Sequence, residues 1–480
     1  MVKNRIFCFC LLIICFTATR AQTKVDLLNQ LFDSLNNAKE YNGTVLVADS
    51  GNVIFRGAYG YADFDHQVPM NLQTGFEIAS VSKQFTAMAI MQLHSQGKLN
   101  YSDTITKYLP DLPYKNVTIN DLIHHCSGIT DFLGWTKSQL QIQSDVCTNQ
   151  DVEKALGKLA PTTLFDPGSA YGYSNTNYLL LANIVSKISG LSFPDYLQKN
   201  IFDPAHMRNS SIPRYNYSRF KPGEYAHNYL WDPVTSGYQP FSLLALRDYY
   251  HFMSGTYGHA GIQSTVMDLY KWIQAIGDNT LVPASIFAAA MQPFLSKDGK
   301  DTIGYDGLAY TFGWLYAPKK NPLNTFLWHN GGIAGYRSFI VYYPNRNRTI
   351  IMLQNTDRTA VEEAIMPSIL QILNGEKDFD WPYVAELPKA IKVDANYLQQ
   401  LAGLYVKQGE PKIKMRIMTK NGRLYAKYMD QIPFEVYANA KDRFFYLAVK
   451  AQLQFSQENG KYTAVTLLQN GLQIRMVKRP

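Results

Sequence analysis

Residues 25–39, VDLLNQLFDSLNNAK, set apolar side chains three and four apart, the spacing of an amphipathic helix from Val25 to about Lys39. The run that follows, GTVLVADSGNVIFRGAYG, reads as two strand-like runs joined at Ser50-Gly51-Asn52, which predicts a hairpin. From Ser80 to about Val266 helical spacing dominates: SKQFTAMAIMQLHSQG, TINDLIHHCSG and NTNYLLLANIVSKISG each close on the glycine that helix ends favour. Between Tyr305 and Asp357 the pattern returns to aromatic-rich strands such as TFLWHN and YRSFIVYYPN, and a last helix is expected from Val361 to Leu373. Strands on both sides of a helical middle imply an α+β fold. Its antiparallel sheet is assembled from distant segments and flanked by helices, with a mostly helical lobe beside it.

Past ELPKAIKVDANYL the chain changes to many short strand-like runs with turn signals at Asn421-Gly422, Asn459-Gly460 and Asn470-Gly471. Residues 386–480 are therefore expected to form a small all-β domain, a barrel or curled sheet, after a main domain of residues 22–385.

At the N-terminus, Lys3 and Arg5 precede an apolar run from Ile6 to Phe16, and small and polar residues lead to Ala21. This is the pattern of a secretory signal peptide over residues 1–21. The run is short for a bilayer span, and no later stretch approaches the roughly 20 apolar residues a span needs. A periplasmic or secreted chain with no membrane span after cleavage is the expectation.

With 46% hydrophobic and 18% charged residues, the composition is that of an ordinary globular protein. The net charge of +8 falls to +5 without Lys3, Arg5 and Arg20, 43 basic against 38 acidic residues. No Lys/Arg block accompanies it, which excludes a nucleic-acid footprint. Removal of the leader leaves Cys126 and Cys147, whose spacing leaves pairing open and suggests no metal site.

The candidate chemistry lies in FEIASVSKQF, residues 76–85. Residues three apart share a helical face and adjacent ones do not, so Ser80 can meet Lys83 and Ser82 cannot. A lysine becomes a base when its pKa falls from about 10.4 toward 7, and the apolar Phe85, Ala87, Met88 and Ile90 supply the burial that would lower it. The first turn of a helix also leaves the Ser80 N–H without an intrahelical partner and free for a substrate oxyanion. Ser-x-x-Lys recurs at Ser95–Lys98 and Ser218–Lys221, but only Ser80 opens a long apolar helix.

FEIASVSKQFTAMAI resembles the first motif of the serine β-lactamase and penicillin-binding superfamily, and is most similar to the class C β-lactamase-like branch with its D,D-carboxypeptidases, D-aminopeptidases and esterases. The resemblance implies an acylated Ser80, a Tyr-x-Asn second motif and a Lys/His-x-Gly third motif. Tyr-x-Asn begins at Tyr114, Tyr173, Tyr343 and Tyr437, and the loop context FDPGSAYGYSNTNYLLL selects Tyr173 and Asn175, the phenol to relay protons and the amide to orient substrate or Lys83. His-x-Gly occurs at His259 and His329, and the strand pair TFLWHNGGIAGYRSFIVYY selects His329, Gly331 and Gly332. By resemblance the Gly332 N–H is a second oxyanion donor. His329 stands where many relatives carry lysine, and Arg337 on the adjoining strand is placed to assist with a substrate carboxylate.

His124, His125 and His259 fall in segments that resemble structural ones. The aromatic insertion from Pro213 to Tyr257 fits either a rim of the cleft or the packing of an enlarged lobe, and the tail resembles lipocalin-like β domains. The implied protein is a serine hydrolase that acts on D-amino acid peptides, esters or β-lactams and needs no cofactor. The alternative is a catalytically weak penicillin-binding sensor or binder of cell-wall peptides. In both readings the partner is a small molecule or peptide, with peptidoglycan-derived fragments among the candidates.

Overall fold

The structure is a computed structural model that describes residues 23–135, 137–213, 221–241, 247–299, 304–305, 307–317, 325–357, 360–376, 381–382, 389–429, 433–447, 449, 451–469 and 471–479. The leader, Ser218 and Asn470 lie outside the described residues. Eight strands form one sheet in the spatial order Asn52–Tyr59, Gly43–Asp49, Arg348–Gln354, Tyr336–Tyr343, Phe326–Ile333, Leu315–Ala317, Leu308–Tyr310 and Gly304–Tyr305. Every pairing in it is antiparallel.

The N-terminal hairpin thus pairs with Arg348–Gln354, some 300 residues later in the chain (Thr44 opposite Leu353). Successive side chains of a strand point to opposite faces. Val45 and Val47 meet Leu28, Leu31 and Phe32 of the helix Lys24–Asn37 and Ile365, Ile369 and Ile372 of the helix Ala360–Asn374. Leu46 faces the larger core of the helical lobe. Because both faces are covered, the strand reads as a continuous apolar run.

The centre of the lobe is the helix Ser82–Ser95, in which every residue from Ser82 to Leu93 is buried. Phe85 stacks on Trp272 of the helix Val266–Gly277 with ring centroids 4.2 Å apart. The start of the central helix differs from the sequence expectation. Ser80 sits on a single 3₁₀ turn, Ala79–Val81, and the α-helix begins at Ser82. The cause is Ala79, whose φ of 46° is left-handed and breaks the approach to the helix.

The insertion also contains what helical spacing alone does not predict, a two-stranded hairpin, Tyr229–Asp232 with Gly237–Pro240, ahead of the helix Arg247–Met253. Cys126 and Cys147 are both buried and unpaired, so the pairing that the sequence left open does not occur.

In the tail, eight strands between Gly403 and Lys478 close into a barrel. Two of its hairpins turn at Asn421-Gly422 (φ 52° and 73°) and Asn459-Gly460 (φ 50° and 74°), the pair of positive φ values that makes Asn-Gly the favoured two-residue hairpin turn. Leu398 and Leu401 of the helix Ala395–Leu401 join Tyr405, Met415, Leu453 and Phe455 in a core of the barrel's own. Arg423 connects it to the insertion, with Nη1 2.8 Å from Glu435 and Nη2 3.4 Å from Asp232.

Candidate active site

The 3₁₀ turn that carries Ser80 is held from three directions. Phe76–Glu77 pairs with Gln263–Ser264, the Ile78 N–H donates to the Ile262 carbonyl at 2.9 Å, and the Ser338 hydroxyl donates to the Ile78 carbonyl at 2.7 Å. A left-handed non-glycine residue costs on the order of 1–3 kcal/mol and persists where its surroundings over-determine it. Ala79 is such a residue, and it presents Ser80 at the wall of a cleft of about 750 Å³.

Ser80 Oγ lies 3.0 Å from Lys83 Nζ and accepts the Tyr173 hydroxyl at 2.9 Å. Ser82, two residues on, is fully buried and its Oγ accepts the Ile262 N–H at 3.3 Å. The two serines therefore have separate surroundings, one at the cleft and one in the packing beneath it.

Lys83 Nζ also donates to Asn175 Oδ1 at 2.9 Å and to the His259 carbonyl at 2.8 Å. An ammonium has three donors, and these three acceptors match them. A neutral amine has two donors and a lone pair. With the amide oxygen and the carbonyl taking the two N–H groups, the lone pair is left for the Ser80 hydroxyl. Burial lowers the Lys83 pKa from 10.5 to about 7, against the opposing pull of the Asp131 carboxylate, so the neutral form is accessible near neutral pH.

Tyr173 lies with its ring 4.8 Å from Lys83 Nζ. Tyr173 is 39% exposed, and the partial loss of water around it, outweighing the bond to Ser80, raises its pKa above the ordinary phenol value, so it stays protonated.

Asn175 opens the helix Asn175–Ser189. Its backbone N–H and its Nδ2 both donate to Asp131 Oδ2, at 3.1 and 2.8 Å.

On the opposite wall, the strand Phe326–Ile333 passes directly over the Ser80 turn. A Cβ at Gly331 would lie 2.4 Å from both the Ile78 carbonyl and Ser338 Oγ and 3.0 Å from the Ser80 nitrogen, so only glycine fits. At Gly332, which opens on the cleft, a Cβ would meet Arg337 Nη1 at 2.2 Å. Arg337 is the register partner of Gly332, and its Nε is buried with no hydrogen-bond partner among the described residues.

His329 is buried, with Nδ1 2.6 Å from the Asn330 carbonyl and Nε2 3.0 Å from the Tyr310 hydroxyl. The carbonyl requires the proton on Nδ1, and the phenol then donates to Nε2. Burial, aided by the charge of Lys83, lowers the His329 pKa to about 3, and the ring is neutral with both nitrogens occupied.

Sequence reasoning missed Asp131, Tyr310 and the His259 carbonyl. The first two carry no motif, and a backbone acceptor leaves no trace in side-chain patterning. His125 Nδ1 accepts the Ser174 N–H at 3.2 Å and its ring lies 4.2 Å from that of Tyr173, so it supports the second-motif loop from beneath. The insertion supplies Tyr225, Asn228, Phe241, Tyr249 and Tyr250 to the cleft wall. Among the described residues no group of three or more His, Cys, Asp or Glu could hold a metal ion, and no helix is long and apolar enough to cross a membrane.

A three-layered α+β domain, its sheet covered by helices on both faces, with serine, lysine and tyrosine converging under a glycine-bearing strand defines the penicillin-recognising class of serine hydrolase folds. A profile described as Beta-lactamase matches residues 28–372, and the chain belongs to that family. It is 30% identical over 460 residues to penicillin-binding protein 4* of Bacillus subtilis (strain 168), covering 95% of this chain and 99% of that one. Among solved structures, the octameric penicillin-binding protein homologue from Pyrococcus abyssi shares the fold with a TM-score of 0.60 and 21% identity over 94% of this chain and 99% of its own. The D-amino acid amidase from Ochrobactrum anthropi SV3 aligns with a TM-score of 0.58 and 22% identity over 74% of this chain and 100% of its own. The family and its relatives are serine hydrolases.

Proposed function

We propose that this chain is an exported serine hydrolase that forms an acyl-enzyme on Ser80 and acts on D-amino acid peptides, amides or esters. The observation that carries the reading is the arrangement of Lys83, whose two fixed acceptors leave its lone pair for the Ser80 hydroxyl. As Ser80 Oγ bonds to the substrate carbonyl carbon, its proton passes to Lys83 and the carbonyl electrons move onto oxygen, where the N–H groups of Ser80 and Gly332 receive them. Collapse of that intermediate expels the amine or alkoxide, which takes a proton through Tyr173. Water, activated by the same groups, then releases the acid.

A neutral, inward-facing His329 gives no positive charge for a substrate carboxylate, and Arg337, whose Nη1 donates to the Tyr336 carbonyl at 3.3 Å, is not among the described residues that line the cleft. This favours peptidase or esterase chemistry over efficient β-lactam hydrolysis. The name of the D-amino acid amidase that shares the fold agrees with a D-configured substrate, and the leader pattern of residues 1–21 supports export.

The test is labelling with a fluorophosphonate or penicillin probe, followed by mass spectrometry and a panel of p-nitrophenyl esters, D-alanyl peptides and a chromogenic cephalosporin. Ser80→Ala is expected to abolish the adduct while Ser82→Ala retains most of it. An adduct mapped to Ser82, Ser95 or Ser218 would overturn the assignment. A single stoichiometric acylation across the panel, with no turnover, would identify a sensor instead.

A further inference from the structure

Asp131 touches none of the reacting atoms, yet two bonds to one of its oxygens fix the group that does. Its Oδ2 accepts the backbone N–H of Asn175 at 3.1 Å and the Asn175 Nδ2 at 2.8 Å, while its Oδ1 accepts the Leu133 N–H at 2.9 Å and caps the turn Phe132–Gly134. An asparagine amide can in principle present either end to a neighbour. A carboxylate accepts only, so Nδ2 must face Asp131 and Oδ1 must face Lys83. With the amide reversed, Nδ2 would face the amine, draw its lone pair away from Ser80 and leave Lys83 one acceptor short.

We infer that Asp131 is a positioning residue for the acylation step: by orienting the Asn175 amide it aims the Lys83 lone pair at the Ser80 hydroxyl. The inference rests on the proposed role of Ser80, but its geometry is readable without turnover. The same carboxylate acts through space on Lys83, favouring the ammonium against the burial that opposes it. The other polar and titratable groups around Lys83 are Tyr173 and Tyr178, whose rings lie 4.8 and 5.7 Å from Nζ, and His125, His259 and His329, all buried and held neutral. Among the described residues Asp131 is thus the anion acting on the amine, and its removal has a signature that a packing defect lacks.

The experiment compares wild type with Asp131→Asn, which is nearly isosteric, and with Asp131→Ser, which keeps an oxygen to cap Leu133 but is too short to hold the amide. Two readouts are taken: the pH dependence of acylation by a fluorophosphonate probe, and the NMR titration of Lys83 in isotopically lysine-labelled full-length protein without substrate, assigned with Lys83→Met. Both variants are expected to slow acylation about 10-fold or more and to move the Lys83 midpoint to lower pH. Slower acylation with an unmoved midpoint in the folded variants would reduce Asp131 to a structural cap and overturn the inference, as would wild-type rates in both. The NMR titration reports the coupling of Asp131 to Lys83 even if Ser80 proves not to be the acylated residue, so the two failures are distinguishable.

Discussion

Lys83 has a cost in stability as well as a role in the site. Its fall from 10.5 to about 7 corresponds to on the order of 5 kcal/mol disfavouring the ammonium in the folded protein. The unfolded chain binds the proton more tightly, so folding releases it in the window between those values, and stability rises with pH there. The penalty is full below about 7 and vanishes above about 10.5. Lys83→Met is expected to abolish acylation and to gain most in stability relative to wild type at low pH. Urea unfolding of both proteins at a series of pH values checks this, the advantage of the variant shrinking as pH climbs from 7 toward 10. Acylation by wild type should show an acid limb with a midpoint near 7, because only the neutral amine accepts the Ser80 proton. Tyr173→Phe leaves the ring but removes the hydroxyl proposed to relay protons, and steady-state turnover of the best ester substrate should fall roughly 100-fold.

At the scale of elements, the site is a junction of a strand, a 3₁₀ turn and a helix start, and two adjacent glycines show how tightly they meet. Gly331 faces backbone and a hydroxyl that is itself bonded, so a methyl group there must push the Ser80 turn aside. Gly332 faces the end of a long arginine side chain, which can swing away. Gly331→Ala should therefore cost about 1–3 kcal/mol by overpacking and Gly332→Ala distinctly less, as measured by thermal unfolding. Equal costs would mean that the strand and turn are less closely packed than these distances require. The strand-like runs at residues 43–60 and 326–354 made the sheet legible from sequence, because each strand's pattern is local. Sequence placed the helix start at Ser80 instead of Ser82 because the left-handed Ala79 is imposed by neighbours from two other segments, 262–264 and the strand that carries Ser338.

For the whole molecule, the question is how far the barrel matters to the cleft. It has its own core, and every proposed catalytic group precedes it. It also touches the insertion, through Arg423 to Asp232 and through the Ala390 N–H to the Pro233 carbonyl at 3.0 Å, and that insertion lines the cleft. Protein ending near Pro388 is expected to stay folded and hydrolyse a small ester, with a lower Tm from the lost contacts. A soluble, folded truncation that reacts with no small acylating probe would show that the barrel is part of the active site.

The sequence alone determined whatever depends on neighbours along the chain. Alternation and helical spacing gave the α+β division, Asn-Gly pairs gave the barrel hairpins, and a three-residue interval brought Ser80 to Lys83. Motif context singled out Tyr173, whose hydroxyl reaches Ser80 from 93 residues away. Only the tertiary structure decided what depends on burial and on partners far apart in the chain. It brought the His259 carbonyl to Lys83 across 176 residues and Asp131 to Asn175 across 44. It turned His329 inward onto Tyr310 and fixed Ser82 beneath the cleft. The reason is physical: a pKa or a lone-pair direction is set by which atoms surround a group and how much water they exclude, and spacing along a chain records neither.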